Sequence, residues 1–225
     1  MKNEKYSKKD PTSLCARLLD SAGFPIDDAI RSAWARHTEL IRECNRVSSL
    51  VSEGDSTRLE SVHIVDSLSL LAPILKYRSM DPLLDIGSGG GFPAIPIKIL
   101  LPDLPMVLVE RSVKKVGFLR RLIGALGLTG VEIRHGEYPR VTTDLHPGLI
   151  TARAVEKPDQ IMQAITTSLA PRPKGPVFLC QFSAGVDTLS PMFHVERWED
   201  EWTRMKLRRG TLHLIWRKEE ESHPE

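Results

Sequence analysis

The sequence has few cysteines. Only Cys15, Cys44 and Cys180 occur among its 225 residues, and no two of them form a CxxC pair. An odd number of widely separated cysteines disfavours both a disulfide framework and a zinc site. We therefore expect reduced thiols, a cytoplasmic location and no bound metal.

Long apolar runs are also absent. The most apolar region, residues 92 to 110, is interrupted by Lys98, Asp103 and several prolines, which excludes a membrane-spanning helix there. The N-terminal residues are too polar for a signal peptide. We therefore expect a soluble protein without a membrane partner.

The chain has almost no net charge. It contains 31 Lys and Arg against 29 Asp and Glu, which gives a formal net charge of +2. Any polyanionic partner must therefore meet a local basic patch rather than an overall positive field. With 41% hydrophobic residues, the chain has the length and composition of one α/β domain with an extension.

The first third of the chain has helical periodicity. Residues 1–11 carry four lysines and no apolar pattern, which predicts a mobile basic tail. Residues 12–78 predict an N-terminal extension of three helices, at 12–22, at about 26–44, and from a Ser56 cap to Tyr77. Residues 79–218 then form the predicted main domain, and 219–225 a second tail.

Short apolar runs alternate with helical segments from residue 82 onward. This pattern is typical of βαβ units and a mainly parallel sheet. Alternation within 195–202 and 211–218 predicts a terminal antiparallel pair, and Gly127 can end an amphipathic helix that starts near residue 113. The predicted parallel strands are Pro82–Ile86, Met106–Glu110, Val131–His135, Leu149–Ala152 and Val177–Gln181.

The segment LLDIGSGGGFPAIP, residues 83–96, predicts a strand, a glycine turn and the start of a helix. Glycines let backbone N–H groups approach a ligand closely because no Cβ intervenes. A dinucleotide fingerprint requires glycine where Phe92 stands, and a P-loop requires Gly-Lys-Ser/Thr. The pattern D-x-G-x-G-x-G, from Asp85 through Gly87 and Gly89 to Gly91, resembles instead the S-adenosylmethionine turn of Rossmann-like methyltransferases.

Two acidic residues lie at the ends of neighbouring predicted strands. Asp85, beside the turn, suits a cofactor with a cationic amino group and a sulfonium. Glu110 ends the second strand, where a carboxylate can accept hydrogen bonds from ribose hydroxyls. A tight βα turn without a ligand is the alternative interpretation.

Motifs for several methyl acceptors are missing. We find no N/D-P-P-Y loop for an exocyclic amine, and Cys180 lies in an apolar strand, which is typical of a structural thiol rather than a nucleophile. Guanine N7 has an in-plane lone pair and no proton to remove, so positioning and electrostatics can suffice. A site without a base or nucleophile is compatible with this acceptor.

Four segments together resemble consecutive motifs of the bacterial 16S ribosomal RNA guanine-N7 methyltransferases, also called glucose-inhibited division protein B. They are HIVDSLSLL at 63–71, LLDIGSGGGFPAIPIKILLP at 83–102, LVERSVKKVGFLRRL at 108–122 and ITARAV at 150–155. The resemblance extends from about residue 34 to 182. It implies a class I Rossmann-like fold with a seven-stranded sheet and an N-terminal helical extension. It also implies S-adenosylmethionine as cofactor and 16S rRNA of the small subunit as partner. We expect no DNA partner and a monomeric protein.

The resemblance also implies roles for individual residues. Arg153 would be the catalytic residue, at the mouth of the site near cofactor and substrate. Lys114 and Lys115 would contact RNA. On their charge alone, Arg120, Arg121, the basic N-terminal tail and residues 204–210 are further candidates for phosphate contacts. His63 and Asp66 would lie toward the substrate, without an assigned chemical role. The implied cofactor residues are Asp85, Gly87, Gly89, Gly91, Phe92, Glu110, Glu137, Tyr138, Pro139 and Arg153.

The chain departs from the family pattern at three places. Glu137 and Pro139 stand where an arginine and an acid are usual, Gln181 replaces a lysine, and residues 49–51 replace Asn-Leu-Thr. Two cations expected near the substrate are therefore missing. These departures leave two alternatives open: the same fold acting on a small molecule or protein, or a cofactor-binding ribosome-assembly factor without turnover.

Overall fold

The apolar runs after residue 82 form the strands of one sheet. The computed structural model describes residues 10–153, 157–170, 176–182, 186–187, 189 and 191–219. Within them, seven strands are ordered β3-β2-β1-β4-β5-β7-β6. The strands are β1 Leu83–Ile86, β2 Met106–Glu110, β3 Val131–His135, β4 Leu149–Ala152, β5 Val177–Cys180, β6 Phe193–Arg197 and β7 His213–Arg217.

The first five strands are parallel, and β7 is antiparallel to both β5 and β6. Every residue of β1, β2, β4 and β5 is buried, as expected for strands covered on both faces. The register places Asp85 opposite Thr151 and Ile86 opposite Ala152. The glycine turn and Arg153 therefore leave neighbouring strands at the same edge of the sheet. The predicted α/β fold class is confirmed.

Helices precede and follow the strands. Asp10, Asp27 and Ser112 each accept a hydrogen bond at a helix N-terminus, which stabilises the starts of three helices. The helices are α1 Pro11–Ser21, α2 Asp28–Ser48, α3 Glu53–Ser56, a π-helical turn Leu59–Ile64, α4 Val65–Leu68, α5 Leu71–Tyr77, α6 Ala94–Leu100, α7 Val113–Ala125, α8 Pro158–Ser168 and α9 Glu201–Arg204. No helix in this described part of the chain is long and apolar enough to cross a membrane.

The predicted continuous helix from Ser56 to Tyr77 is wrong. This stretch is divided among the π-helical turn, α4 and α5, while Ser56 ends α3 and Ser52 caps it. Pro73 has no N–H to donate to the carbonyl of Ser69. That carbonyl accepts a hydrogen bond from Arg208 Nη2 at 2.8 Å instead. A contact between residues that are distant in sequence thus stabilises the break in the helix.

Two apolar cores lie on the two faces of the sheet. Leu40 and Ile41 of α2 share one core with Leu83 and Leu108 of the sheet, and Met162 and Ile165 of α8 contribute to the other. The predicted antiparallel pair is confirmed, although α9 replaces the end of its first segment. The predicted domain division near residue 78 stays a prediction. The two predicted tails, 1–11 and 219–225, lie almost wholly outside the described residues.

Candidate functional site

The glycine turn after β1 is folded onto the end of β2. Gly87, Gly89 and Gly91 have φ values of +73°, +50° and +85°, a region that favours glycine. The amides of Gly87 and Ser88 donate to the carbonyl of Val109 at 2.9 and 3.2 Å. The turn therefore keeps its shape through backbone contacts with the neighbouring strand.

The predicted cofactor glycines have different surroundings. Gly87 lines both of the cavities described below, Gly89 lines only the larger of them, and Gly91 lines neither. A Cβ on Gly91 would lie 2.8 Å from Ile95 Cγ1 and 3.2 Å from Leu122 Cδ2. Gly91 therefore permits close packing of the turn against α6 and α7, a role distinct from the predicted ligand contact.

Two cavities adjoin at the carboxyl ends of the strands. The first, which we call the Glu110 cavity, has a volume of about 190 Å³. The second, the Phe92 cavity, has a volume of about 670 Å³. Gly87 and Lys115 line both, so the two cavities are adjacent. Of the predicted RNA contacts, Lys115 is thus at the site, while Lys114 is exposed and lines neither cavity.

Glu110 is fixed at the wall of the Glu110 cavity. Its side chain is nearly buried. Oε1 accepts from the amide of Ser112 at 2.8 Å, and Oε2 accepts from the amide of Gly89 at 3.0 Å. Each carboxylate oxygen retains a further lone pair, so Glu110 can also accept hydrogen bonds from a ligand.

The residues after β3 form another part of this wall. Glu137 and Tyr138 line the Glu110 cavity, and Glu137 Oε1 lies 3.8 Å from Arg111 Nη1. The Tyr138 hydroxyl hydrogen-bonds to Ser168, and burial raises the pKa of Tyr138. Pro139 does not line the cavity, and its carbonyl accepts from Thr142.

Asp85 lies beneath the turn rather than on a cavity wall. Its side chain is 1% exposed, and Oδ1 accepts from Thr151 Oγ1 at 2.7 Å. Oδ2 is buried and has no hydrogen-bond partner among the described residues. Burial raises the pKa of Asp85 to about 7. A cation placed near this buried carboxyl group would favour its ionised form.

Phe92 lies within a group of stacked rings. Its ring centroid is 4.6 Å from that of His37 and 5.0 Å from that of His63. Burial lowers the pKa of both histidines to about 4, so both are neutral at neutral pH. His37 Nε2 lies 2.7 Å from the Gly90 carbonyl and must donate, since a carbonyl only accepts. This contact links α2 to the glycine turn.

Arg153 belongs to a largely buried ion pair in the Phe92 cavity. Its Nη1 donates to Asp66 Oδ2 at 2.7 Å, and its Cζ lies 5.4 Å from the centre of the Phe92 ring. Nη2 lies 3.3 Å from His63 Nδ1. Because guanidinium only donates, Nδ1 accepts and the His63 proton is on Nε2, 3.4 Å from Asp55 Oδ2.

Arg209 is a cavity residue that the sequence motifs did not single out. It lines the Phe92 cavity, and its Nη1 donates to Asp55 Oδ2 at 3.3 Å. Gln181 also lines this cavity and donates from Nε2 to Asp66 Oδ1 at 3.3 Å. Gln181 stands where the family has a lysine, so the sequence suggested that a cation is missing from this cavity. Arg209, from the loop before β7, provides a cation there. The only sequence signal was the basic cluster at 204–210, in which Arg208 is instead buried against Asp200.

Cys180 has the environment of a structural thiol. It is buried within β5, and burial raises its pKa to about 12. A thiol in this state is a poor nucleophile.

Residues 31–183 match the family described as rRNA small subunit methyltransferase G (GidB). Three curated proteins named ribosomal RNA small subunit methyltransferase G are similar to this chain. The protein from Geobacter sp. (strain M21) is 41% identical over 113 residues, which cover 50% of this chain and 51% of the relative. That from Leptothrix cholodnii is 31% identical over 151 residues, 66% of this chain and 69% of the relative. That from Streptococcus pneumoniae serotype 19F is 31% identical over 153 residues, 66% of this chain and 64% of the relative. The chain thus spans about half to two thirds of the length of these relatives.

Solved methyltransferase structures share the fold. SAH-bound Podospora anserina methyltransferase PaMTH1 has a TM-score of 0.58 at 16% identity, covering 97% of this chain and 100% of that protein. A putative O-methyltransferase from Klebsiella pneumoniae has a TM-score of 0.54 at 16% identity, covering 92% of this chain and 97% of that protein. At this level of identity, the comparison concerns the fold alone.

Proposed function

This chain belongs to the rRNA small subunit methyltransferase G family, and on that premise we propose that it methylates N7 of a guanine in the 16S rRNA of the small ribosomal subunit, with S-adenosylmethionine as methyl donor. The observation that carries this proposal is the meeting of two cavities at Gly87 and Lys115. Transfer requires donor and acceptor to be held together in a fixed orientation.

The residues around the Glu110 cavity fit S-adenosylmethionine. Ile86, Val109 and Ile161 offer apolar contacts to a purine ring, and Glu110 offers carboxylate oxygens to ribose hydroxyls. The unpartnered Oδ2 of Asp85 lies beneath the turn, and the ammonium of the cofactor would bring a compensating positive charge. When bound, the cofactor supplies an electrophilic methyl group on a sulfonium.

The Phe92 cavity suits an acceptor that needs no proton removal. Within the described residues, no cysteine lines this cavity. His63 accepts from Arg153 at Nδ1 and carries its proton on Nε2, so neither nitrogen is available as a base. Arg153 retains further donors, and a guanidinium can hydrogen-bond to guanine O6. These features favour guanine N7, whose lone pair is available without deprotonation.

Cations at the mouth of the Phe92 cavity support an RNA substrate. Lys115 and Arg209 line the cavity, and the exposed Lys114 lies beside Lys115 at the start of α7. Positive side chains in such positions stabilise RNA by contacts with phosphates. We therefore assign these three residues to phosphate contacts that orient the small subunit.

The proposal is tested with purified protein, isotope-labelled S-adenosylmethionine and small subunits whose 16S rRNA lacks the modification. We expect labelled 7-methylguanosine at one position after nuclease digestion and mass spectrometry, and none with large subunits. Label in a metabolite or protein fraction alone would identify a different acceptor. Cofactor and subunit binding without transfer would indicate an assembly factor.

A further inference from the structure

We propose that Asp66 is a positioning residue that orients Arg153 in the Phe92 cavity and fixes the Arg209 loop at the cavity mouth. This inference rests on the proposed function for its effect on methyl transfer. Its structural part, the immobilisation of the Arg153 guanidinium, can be tested without any methylation assay.

The Asp66 carboxylate joins three segments that are distant in sequence. Its side chain is nearly inaccessible to solvent. Oδ2 accepts from Arg153 Nη1 at 2.7 Å, while Oδ1 accepts from the backbone amide of Arg209 at 2.6 Å and from Gln181 Nε2 at 3.3 Å. The ends of β4 and β5 and the loop before β7 are therefore held by one side chain of the N-terminal helices.

The local backbone brings Asp66 to the cavity. Asp66 follows the π-helical turn Leu59–Ile64, and both His63 and Asp66 line the Phe92 cavity. π-Helical turns are rare and occur often at functional sites. Ser67 Oγ donates to the carbonyl of His63 at 2.6 Å, a bond that stabilises the transition from the π-helical turn into α4.

Among the described residues, Asp66 is the carboxylate that forms an ion pair with Arg153. The Arg153 side chain is only 12% exposed, so its charge needs a partner within the protein. Its contact with neutral His63 is longer, at 3.3 Å. Without the Asp66 charge, the Arg153 guanidinium would be better solvated if it turned toward water, and it would then leave the ring of Phe92.

A second pair in this chain provides a matched control. Arg208 Nη2 donates to Asp200 Oδ2 at 2.7 Å, the same distance as in the Arg153–Asp66 pair, and the Arg208 side chain is buried. Asp200 and Arg208 line neither the Glu110 cavity nor the Phe92 cavity. If the Asp66–Arg153 pair had only a structural role, removing its carboxylate charge should therefore have the same effect on kcat as removing that of Asp200.

The experiment compares Asp66→Asn with Asp200→Asn in the full chain. Asparagine at 66 keeps an oxygen that can accept from Arg209 but lacks the charge that holds Arg153. We expect Asp66→Asn to lower kcat on small subunits up to about 100-fold, with the Kd for S-adenosylmethionine within about twofold of wild type. Asp200→Asn should lower the melting temperature and leave kcat unchanged. Equal effects of the two variants on kcat would overturn the proposal.

Proton exchange of the Arg153 guanidinium, followed by NMR, tests positioning independently of activity. In the unmodified protein, we expect Arg153 to exchange at least about tenfold more slowly than the more exposed side chain of Arg209. Asp66→Asn should remove this protection, and Asp200→Asn should preserve it. Equal exchange of Arg153 and Arg209 in the unmodified protein would refute the positioning role even if Asp66→Asn did not fold. Absence of methyl transfer by the wild-type protein would instead refute the proposed function.

Discussion

Glu110 Oε2 accepts a hydrogen bond from the amide of Gly89 at 3.0 Å. Through its other oxygen, Glu110 also accepts from Ser112 at 2.8 Å. One carboxylate thus ties the end of β2 to the glycine turn and to the start of α7. The shape of the turn and the proposed ribose contact therefore depend on the same side chain.

Glu110→Gln should weaken S-adenosylmethionine binding about 10- to 100-fold, because a hydrogen bond to a charged group contributes about 1.5–3 kcal/mol. The neutral amide can replace only one of the two oxygens as an acceptor. Isothermal calorimetry gives the Kd. Glu132→Gln is the control, since Glu132 pairs with Arg134 and does not line the Glu110 cavity. Similar affinities for Glu110→Gln and wild type would refute the ribose contact.

Asp85→Asn should stabilise the cofactor-free protein more at pH 8 than at pH 5. The pKa of folded Asp85 is about 7, above its ordinary value of 3.8. Because the unfolded carboxyl ionises at a lower pH than the folded one, the stability that protonated Asp85 contributes falls as pH rises from 3.8 to about 7. The stabilisation at pH 8 should amount to a few kcal/mol, because each unit of pKa difference corresponds to about 1.4 kcal/mol. Thermal unfolding at both pH values measures it. An equal effect at pH 5 and pH 8 would contradict this linkage.

The same carboxyl group should make cofactor binding depend on pH. Protonation of Asp85 below pH 7 removes the negative charge beneath the turn, so wild-type affinity for S-adenosylmethionine should fall between pH 8 and pH 6. Asp85→Asn is the control, and its affinity should vary less over this range. Parallel pH profiles for the two proteins would exclude Asp85 as the titrating group.

Gly91→Ala should destabilise the fold by about 1–3 kcal/mol, because overpacking is costly and φ at this position is +85°. The added methyl would meet Ile95 and Leu122. Gly124→Ala is the matched control: Gly124 lies within α7 with open space around it, and alanine there should stabilise by up to about 1 kcal/mol. Urea unfolding measures both values. A neutral Gly91→Ala would show that the turn tolerates a side chain.

Arg209→Ala should weaken binding to the small subunit and reduce the slope of log K against log salt by about one. Arg17→Ala is the control, because Arg17 is exposed on α1 and lines neither the Glu110 cavity nor the Phe92 cavity. Filter binding at several salt concentrations gives both slopes. An unchanged slope for Arg209→Ala would remove Arg209 from the set of phosphate contacts.

The strands were predictable because each is a short apolar run bounded by turn residues. Burial of every residue of β1, β2, β4 and β5 leaves little ambiguity, and four of the five predicted parallel strands agree with the structure at their C-terminal residue. Parallel pairing then places Asp85, Glu110 and Arg153 near one edge of the sheet. This part of the candidate site follows from sequence order and βαβ topology alone.

Contacts between distant segments were not predictable. Arg208 donates a hydrogen bond to the carbonyl of Ser69 at the break between α4 and α5. This bond joins the loop before β7 to the N-terminal helices. The same loop brings Arg209 to the Phe92 cavity and to Asp66. The glycine motif likewise does not reveal which glycine meets a ligand and which, like Gly91, meets a neighbouring helix. Each of these features depends on tertiary packing rather than on local pattern.

The most direct test of the central claim is mass spectrometry of 16S rRNA from the source organism with this gene deleted. We predict that one 7-methylguanosine is lost on deletion and is restored by the wild-type gene, but not by the Glu110→Ala form. An unchanged set of 7-methylguanosines in the deletion strain would contradict the proposed function.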